Sequence, residues 1–250
     1  MPRIGSARGP PRVSVVIPAR NEGRFIGRSV KVARSARGVS EVIVVDGGST
    51  DDTREVARRA GAEVVAQSDL RYPGKGIAMR DGFYYSTGDV VVFVDADIKN
   101  LGPQFIERLY EPIARGEADF VKGTYARAGG RVTELVAKPL LAMLYPELSR
   151  FGQPLSGEIA GTRRAFKCVD WPPGWGVDVA VLIDVHRAGL RIAEVDLGYK
   201  DHDMKPLSLL TEMAREVAET ILLRAARDGK ISLGEASRLA ERLVKEATKP

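Results

Sequence analysis

Two aspartates, Asp95 and Asp97, follow an apolar run in the sequence VVVFVDADIKN, residues 90–100. In an extended segment their carboxylates would project to the same side. Such a pair suits a hard divalent cation, Mg²⁺ or Mn²⁺, whose other ligands are usually waters and substrate phosphates. A helix N-cap or an exposed turn is the simpler interpretation, because aspartate favours both. The choice depends on where the rest of the chain places these acids.

The segment DGGSTDDT, residues 46–53, has two interpretations. Asp46 is suited to hydrogen-bonding a base or a ribose hydroxyl. Ser49 and Asp52 have the spacing of a helix capping box, which alone would explain half of the motif.

A lysine and a histidine complete the candidate set. Lys75 has a glycine on each side, which leaves room for a phosphate, although the glycine spacing excludes a Walker A loop. His202 lies among acids and lysines, where an imidazole can be a third metal ligand. His186 precedes the expected end of a helix and is interpreted as structural.

The elements that must position these residues follow from apolar periodicity. Strands are predicted at 13–18, 41–46, 62–66 and 89–95, alternating with helices at 23–36, 50–61 and 74–86. This alternation indicates βαβ units and a mostly parallel sheet covered on both faces, an α/β fold. After residue 100 the alternation loosens, with Pro139 expected to kink one helix. Two amphipathic helices separated by Asp228 and Gly229 are expected from residue 207 onward.

Ligands of parallel α/β sheets bind at the carboxyl ends of the strands. Those ends carry PARNE after the first strand, DGGSTDD after the second and DAD after the fourth. We therefore expect all three segments at one edge of the sheet, which favours a ligand site over an ordinary turn.

Composition narrows the class of protein. The 250 residues carry a formal charge of +5, an excess that suits phosphorylated metabolites, polyanions or an anionic membrane surface. No nucleic-acid-binding motif is found, and aromatic residues are only 6%, which argues against nucleic acid as a partner. Cys168 is the one cysteine, so no internal disulfide can form and a cytoplasmic location is expected. No apolar run approaches the ~18 residues of a membrane span.

Together the segments VSVVIPARNE, EVIVVDGGSTDDT and GDVVVFVDAD resemble the nucleotide-sugar glycosyltransferases of the GT-A fold, a Rossmann-like architecture. The second half resembles the glucosyl-3-phosphoglycerate synthase family, most specifically through GGRVTELVAKPLL. The resemblance covers roughly residues 13–220. It implies a retaining enzyme that moves glucose from UDP-glucose to the 2-hydroxyl of 3-phosphoglycerate with Mg²⁺ or Mn²⁺.

The resemblance also implies roles for individual residues. Asp97 would ligate the metal directly with His202, and Asp95 would lie on the donor side. Lys75 would approach the diphosphate, and Asp178 would lie near the sugar hydroxyls. The nucleotide sugar would contact Pro18, Ala19, Glu22, Asp46, Gly47 and Ala96. The phosphoglycerate would contact Gly130, Arg131, Val132, Thr133, Lys200 and Met204.

Three departures from the family pattern concern the ligands. Gly47 stands where serine is usual, Asp178 replaces a glutamate, and Asp203, Met204 and Lys205 replace a loop with arginine and asparagine. These departures leave open a mannosyl-3-phosphoglycerate synthase using GDP-mannose. The shared N-terminal motifs and the basic charge leave open a polyprenyl-phosphate sugar transferase, and a nucleotidyltransferase and a non-catalytic nucleotide-sugar sensor are further alternatives.

The chain is expected to divide into four parts. Residues 1–12 form a flexible basic arm without a signal sequence, 13–100 the nucleotide-sugar half and 101–206 the acceptor half of one domain. Residues 207–250 form the helical extension, whose apolar stripes fit either packing on the domain or a homodimer; the family resemblance favours the dimer.

Overall fold

A seven-stranded mixed sheet forms the centre of the molecule. The computed structural model describes residues 10–72, 74–126, 130–202 and 207–247, so most of the expected basic arm lies outside it. Within those ranges the strands are β1 (Val13–Ala19), β2 (Val39–Asp46), β3 (Glu63–Ala66), β4 (Val90–Phe93), β5 (Phe120–Thr124), β6 (Ile159–Thr162) and β7 (Ile192–Asp196). Their order across the sheet is β3-β2-β1-β4-β6-β5-β7.

Helices cover both faces of this sheet. They are α1 (Gly23–Ser35), α2 (Thr53–Ala60), α3 (Gly76–Tyr85), α4 (Pro103–Ala114), α5 (Lys138–Leu144), α6 (Arg163–Lys167), α7 (Val177–Arg187), α8 (Leu207–Arg227) and α9 (Leu233–Ala247). A π-helix, Thr133–Ala137, runs directly into α5, and a 3₁₀ turn spans Pro146–Leu148. The predicted α/β fold and the helical extension are confirmed.

Most strand pairs are parallel, as expected. β1 pairs in parallel with β2 and β4, β2 with β3, and β5 with β7. The exception is β6, which lies antiparallel between β4 and β5 and was not predicted from the sequence. Its short IAGT run contains Gly161, where an added Cβ would lie 2.8 Å from the Phe166 ring. The missing side chain therefore lets Phe166 pack against the sheet.

The apolar residues of the strands separate into two cores. The strand β1 shows this directly: Val16 points into one core, while Val15 and Ile17 point into the other. The first core contains an aromatic group in which Phe93 and Phe166 meet edge to face with centroids 5.2 Å apart. Because both faces are buried, the central strands are continuously apolar, which is typical of parallel sheets.

One local prediction was wrong. The capping box does not form, since the Asp52 side chain makes no cap hydrogen bond and Ser49 Oγ accepts from Asn21 N instead. Pro139 stands in the first turn of α5 and has no N–H to donate to the carbonyl of Leu135, which lies inside the π-helix Thr133–Ala137, so its predicted effect on this helix stays a prediction. The predicted end of α2 at Gly61 is confirmed, with a φ of 96° that glycine adopts without strain.

No helix in the described ranges is long and apolar enough to cross a membrane.

Candidate functional site

The polar loops after β1 and β2 are joined at one edge of the sheet. Asn21 N donates to Ser49 Oγ at 2.9 Å, and Thr50 N donates back to Asn21 Oδ1 at 2.9 Å. Asn21 has a φ of 56°, in the left-handed region that asparagine tolerates better than most residues. The loop after β4 joins them through α1, where Ser29 Oγ donates to Ala96 O at 2.8 Å.

Asp95 and Asp97 have different surroundings. β4 ends at Phe93 and a turn contains Ala96 and Asp97, so the extended geometry assumed from the sequence does not apply. Asp95 lies between two ammonium groups, 3.1 Å from Lys75 Nζ and 3.0 Å from Lys200 Nζ. No lysine or arginine of the described ranges forms an ion pair with Asp97.

The Lys200 ammonium connects Asp95 to a second buried carboxylate. Its Nζ lies 2.8 Å from Glu158 Oε1. Glu158 is fully buried, and its other oxygen accepts from Ser156 Oγ at 2.9 Å. The Lys200 ammonium thus lies between two carboxylates. Its expected contact with the acceptor stays a prediction.

Lys75 joins the loop after β4 to the start of α7. Besides Asp95, its Nζ lies 3.0 Å from Asp178 Oδ2. Asp178 stands in the first turn of α7, where a negative charge is stabilised by the helix dipole. Lys122 Nζ, buried on β5, donates to the Asp178 backbone carbonyl at 3.0 Å.

Burial and neighbouring charges set the protonation of these groups. Burial disfavours the charge on Asp95, but the Lys75 and Lys200 ammonium groups hold its pKa well below the usual value. Burial, followed by the charge on Asp95, raises the pKa of Asp97. Burial also raises the pKa of Asp178, although Lys75 and Lys122 oppose the shift. Burial lowers the pKa of Lys122 to about 8.

The site has an excess of negative charge that fits a divalent cation. Four carboxylates, from Asp95, Asp97, Glu158 and Asp178, outnumber the three lysines whose charges act on them, Lys75, Lys122 and Lys200. Carboxylate oxygens are the ligands that Mg²⁺ and Mn²⁺ prefer. Within the described ranges no three His, Cys, Asp or Glu side chains are grouped as a metal site, and metal binding by Asp95, Asp97 and His202 stays a prediction.

The segment carrying His202 runs beside the loop after β4. Lys99 N donates to Asp201 O at 2.8 Å, and Asp201 N donates to Asn100 Oδ1 at 2.9 Å. Asn100 Nδ2 also donates to Tyr199 O at 2.7 Å. These bonds hold Tyr199 and Asp201 beside the loop that carries Asp97, and the role of His202, the next residue, as a ligand stays a prediction.

One buried polar atom of the cluster, Asp178 Oδ1, has no hydrogen-bond partner among the described residues. The Tyr125 ring lies under Lys200, with Nζ 5.5 Å from its centroid. A buried polar atom without a partner costs about 1–3 kcal/mol, and a bound polar ligand removes that cost. Because a carboxylate oxygen accepts hydrogen bonds, Asp178 Oδ1 favours a ligand with hydroxyl groups here.

The residues expected to hold a nucleotide lie at the ends of β1 and β2 and in the loops that follow these strands. Asp46 is buried, and its carboxylate accepts from Gly48 N and Ser49 N at 3.2 Å, so it shapes the turn. Gly47 N donates to Ala19 O at 2.8 Å, and Glu22 N donates to Thr53 Oγ1 at 2.8 Å. Pro18 is partly exposed at the end of β1. Contact of this group with a nucleotide stays a prediction.

The residues expected to hold the acceptor open a helix. Gly130 O accepts from Glu134 N at 3.0 Å, and Arg131 is exposed while Val132 and Thr133 are buried. Met204 lies outside the described residues. A role for these residues in acceptor binding stays a prediction.

Two site residues were not predicted from the sequence, Gly157 and Glu158. A Cβ at Gly157 would lie 2.7 Å from Asp95 Oδ1 and closer still to Lys75 Nζ, so only glycine lets these groups meet. The signal was the segment SGEIAG, in which an acid interrupts a run of small and apolar residues. A charged residue in such a run is rarely buried unless it is paired.

The chain matches the model of glycosyl transferase family 2 over residues 14–169. It is 41% identical to the glucosyl-3-phosphoglycerate synthase of Mycolicibacterium smegmatis over 242 residues, covering 88% of this chain and 80% of the relative. It is 37% identical to the synthase of Petrotoga mobilis, covering 89% and 76%.

A crystal structure of the Mycobacterium tuberculosis synthase, in complex with Mn²⁺, UDP-glucose and phosphoglyceric acid, superposes on this chain with a TM-score of 0.82. The identity is 43%, and the match covers 86% of this chain and 80% of that one. The chain therefore belongs to glycosyl transferase family 2 and, within it, to the family of the glucosyl-3-phosphoglycerate synthases.

Proposed function

We propose that the chain is a retaining glucosyltransferase that moves glucose from UDP-glucose to the 2-hydroxyl of 3-phosphoglycerate, giving glucosyl-3-phosphoglycerate and UDP. The observation that carries the proposal is the buried cluster in which Lys75 joins Asp95 to Asp178 at the ligand-binding edge of the sheet. The related synthase binds UDP-glucose and phosphoglyceric acid, which supports the same pair of substrates.

The metal site would consist of Asp97 and His202, with Asp95 beside them. A bound Mg²⁺ or Mn²⁺ supplies positive charge that stabilises the departing diphosphate. The fit rests on the excess of carboxylates and on Asp97, which forms no ion pair with a lysine or arginine of the described ranges. The relative's complex with Mn²⁺ supports the choice of a divalent ion.

Lys75 and Asp178 would act on the two ends of the bond that breaks. Burial opposes the charge on Lys75, but Asp178 and Asp95 raise its pKa, so it remains an ammonium group that can stabilise the leaving diphosphate. Asp178 Oδ1 is buried without a partner among the described residues and can accept from a sugar hydroxyl. The sugar would then contact Asp178 through Oδ1, while the diphosphate would lie beside the Lys75 ammonium.

The acceptor would approach from residues 130–133. The Arg131 guanidinium is exposed and matches a phosphate or a carboxylate with two parallel hydrogen bonds. The amides that open the helix and the Thr133 hydroxyl complete this expected set. The acceptor oxygen bonds to the anomeric carbon as the bond to the diphosphate breaks on the same face. The hydroxyl proton passes to the leaving diphosphate oxygen, which accounts for retention without a carboxylate nucleophile.

The test is an assay with UDP-glucose or GDP-mannose, each with 3-phosphoglycerate and Mg²⁺. Transfer from UDP-glucose supports the proposal, whereas transfer from GDP-mannose alone would establish the mannosyl alternative. Binding of UDP-glucose without turnover would identify a sensor.

Variants make the assignment of the metal ligands testable. Asp97→Ala and His202→Ala are each expected to lower turnover by roughly 10²–10³ while the fold survives. Asp89→Ala is a matched control, because Asp89 precedes the same strand at its opposite end, where it accepts from Arg12 N. Metal-dependent turnover at the wild-type level in both variants would contradict the assignment.

We also propose a homodimer formed through the helical extension, in a cytoplasmic protein. Leu223, Leu233 and Leu239 on α8 and α9 expose 54%, 66% and 42% of their surface, which a second copy would cover. A monomer by light scattering would contradict the dimer. The cytoplasmic location is supported by the lone cysteine. The division at residues 12, 100 and 206 is kept as part of the proposal.

A further inference from the structure

Lys75 and Asp178 stand at the beginnings of two different helices, and one segment lies between those beginnings. This segment, residues 172–176, leads directly into α7, where Asp178 occupies the first turn. It also bonds to α3, because Ile77 N donates to Pro173 O at 3.2 Å. The segment therefore contacts both helices whose side chains form the ion pair.

The two glycines beside Lys75 make this contact possible. A Cβ on Gly74 would lie 2.5 Å from Gly174 Cα, and a Cβ on Gly76 would lie 2.8 Å from the Pro173 carbonyl carbon. Neither position has room for a side chain, because carbon atoms in contact are normally 3.5–4.0 Å apart. The backbone around Lys75 is pressed directly against the segment, which therefore determines where the lysine side chain begins.

The helix α8 closes on the segment from the other side. Glu216 Oε2 accepts a hydrogen bond from Trp175 N. A Cβ on Gly174 would lie 2.6 Å from Glu216 Cδ, and one on Gly176 would lie 2.8 Å from Thr220 Cβ. The segment is thus enclosed between α3 and α8 with no free space on either side at its glycines.

Arg224 anchors the same face of α8. It lies four residues after Thr220 and eight after Glu216, so the three share one face of the helix. Its guanidinium bonds to Asp184 of α7 at 3.0 and 3.1 Å and donates to Asp170 O. Arg224 therefore docks α8 on the body of α7, and Glu216 holds the segment that precedes that helix.

We propose that Glu216 is a positioning residue for the donor half of the site, which it serves by fixing residues 172–176 and thereby the meeting of Lys75 with Asp178. Glu216 is partly buried, and in the described ranges it is the side chain that accepts from the backbone of this segment. The inference rests on the proposed function, because its main readout is glucose transfer. The inference gives α8, the first helix of the helical extension, a role in positioning site residues, in addition to the carboxyl ends of the strands.

The test compares Glu216→Ala and Glu216→Gln with the control Glu212→Ala. Glutamine keeps an oxygen that can accept from Trp175 N, whereas alanine does not. Glu212 lies one turn earlier on α8, and in the described ranges its side chain pairs only with Arg215. We expect E216A to lower kcat/KM for UDP-glucose by roughly 10²-fold, because displacement by about 1 Å has that effect. E216Q should recover most of the loss, and E212A should match the wild type.

A purely structural role predicts a different pattern. E216A would then melt at a lower temperature, yet kcat/KM for UDP-glucose, measured well below that temperature, would equal the wild-type value; this result would overturn the inference. An E216Q variant as poor as E216A would overturn it as well. If E216A does not fold, Glu216→Asp, which withdraws the carboxylate by one methylene, replaces it with the same expected order.

The two proposals fail separately. A wild-type protein that does not transfer glucose would reject the proposed function, whatever the variants do. Calorimetric binding of UDP would then decide the inference alone, because the inference requires Lys75 to be displaced in E216A whether or not the wild type transfers glucose. Weaker UDP binding by E216A than by E216Q supports the positioning role, and equal binding by all variants rejects it.

Discussion

The Lys75 ammonium lies 3.0 Å from Asp178 Oδ2 and 3.1 Å from Asp95 Oδ1, so a single lysine ties α7 to the loop that follows β4. Both carboxylates are buried or partly buried, and the lysine side chain is only 15% exposed. The pair of helices that supplies Lys75 and Asp178 is therefore set before any ligand binds.

Replacing Lys75 with methionine tests this relationship. The variant keeps the length of the side chain but leaves Asp178 buried without its cation, which costs roughly 3–5 kcal/mol of unfolding free energy. Turnover should fall by about 10²–10³, because a donor to the leaving group is lost. Urea unfolding and steady-state kinetics measure the two effects, with the exposed Lys31→Met as control. Wild-type kinetics in K75M would contradict the role of Lys75.

The buried pair of Lys200 and Glu158 is expected to be energetically coupled. Lys200 Nζ lies 2.8 Å from Glu158 Oε1, and both side chains are almost fully buried. Lys200→Met and Glu158→Gln each leave one buried charge without this partner, so each should destabilise the fold by roughly 3–5 kcal/mol. The double variant should lose less than the sum, by about 1–3 kcal/mol. Additive losses in a double-mutant cycle from urea unfolding would show that the pair is not coupled.

Lys122 predicts a pH dependence of stability. Burial lowers its pKa from the usual 10.5 to about 8. Between about pH 8 and 10.5 the unfolded chain binds more protons than the folded one, so the unfolding free energy rises with pH across this window, by roughly 3 kcal/mol in total. Lys122→Met should lack this rise. Urea unfolding at several pH values measures it, with Lys31→Met as the control that keeps it; parallel curves for wild type and K122M would contradict the prediction.

The N-terminal half of the fold was predictable because its strands are long β-branched runs separated by amphipathic helices. The edge at which Asp46, Asp95 and the loop after β1 converge follows from that pattern alone. The strand β6 could not be recognised in the same way, because its IAGT run is short and half of it is small residues. Its antiparallel place in the sheet depends on packing between distant strands.

The ion-pair partners of the site residues could not be predicted from the sequence. Lys75 was expected beside a diphosphate, but the sequence did not indicate its ion pair with Asp178, which is 103 positions away. Glu158 escaped notice because a single acid carries no periodicity, and its pairing with Lys200 appears only after β6 is placed. Turn and helix signals identified the elements, whereas the ion pairs depend on how those elements pack.

Serine is expected to affect the unfolding free energy differently at the adjacent positions Gly47 and Gly48. An added Cβ at Gly47 would make ordinary contacts, 3.5 Å from Arg20 Cβ and from Gln67 Oε1, so G47S should change the unfolding free energy by no more than about 0.5 kcal/mol. Gly48 has a φ of 82° and its Cβ would lie 3.3 Å from Leu70, so G48S should destabilise by roughly 1–2 kcal/mol. Thermal melting compares them.

G47S also tests the donor contact implied by the family resemblance, in which serine is usual at this position. A hydroxyl that gains a hydrogen bond with the nucleotide is worth about 0.5–1.5 kcal/mol, so the KM for UDP-glucose should fall severalfold. Unchanged kinetics in a folded G47S would remove Gly47 from the nucleotide site.

We expect the Asp97 carboxylate to lower the stability of the metal-free protein and to be needed for metal binding. Burial and the charge on Asp95 both disfavour the ionised form of this carboxylate. No lysine or arginine of the described ranges forms an ion pair with it. Asp97→Asn removes that repulsion and should raise the melting temperature of the metal-free protein. Wild type should gain stability when UDP and Mn²⁺ are added together, by an amount that grows with ligand concentration. D97N should lose most of this gain, and Asp89→Asn, at the other end of β4, should keep it. A D97N variant that is less stable without metal, yet stabilised by UDP and Mn²⁺ as strongly as wild type, would show that this carboxylate serves the fold and not the ion.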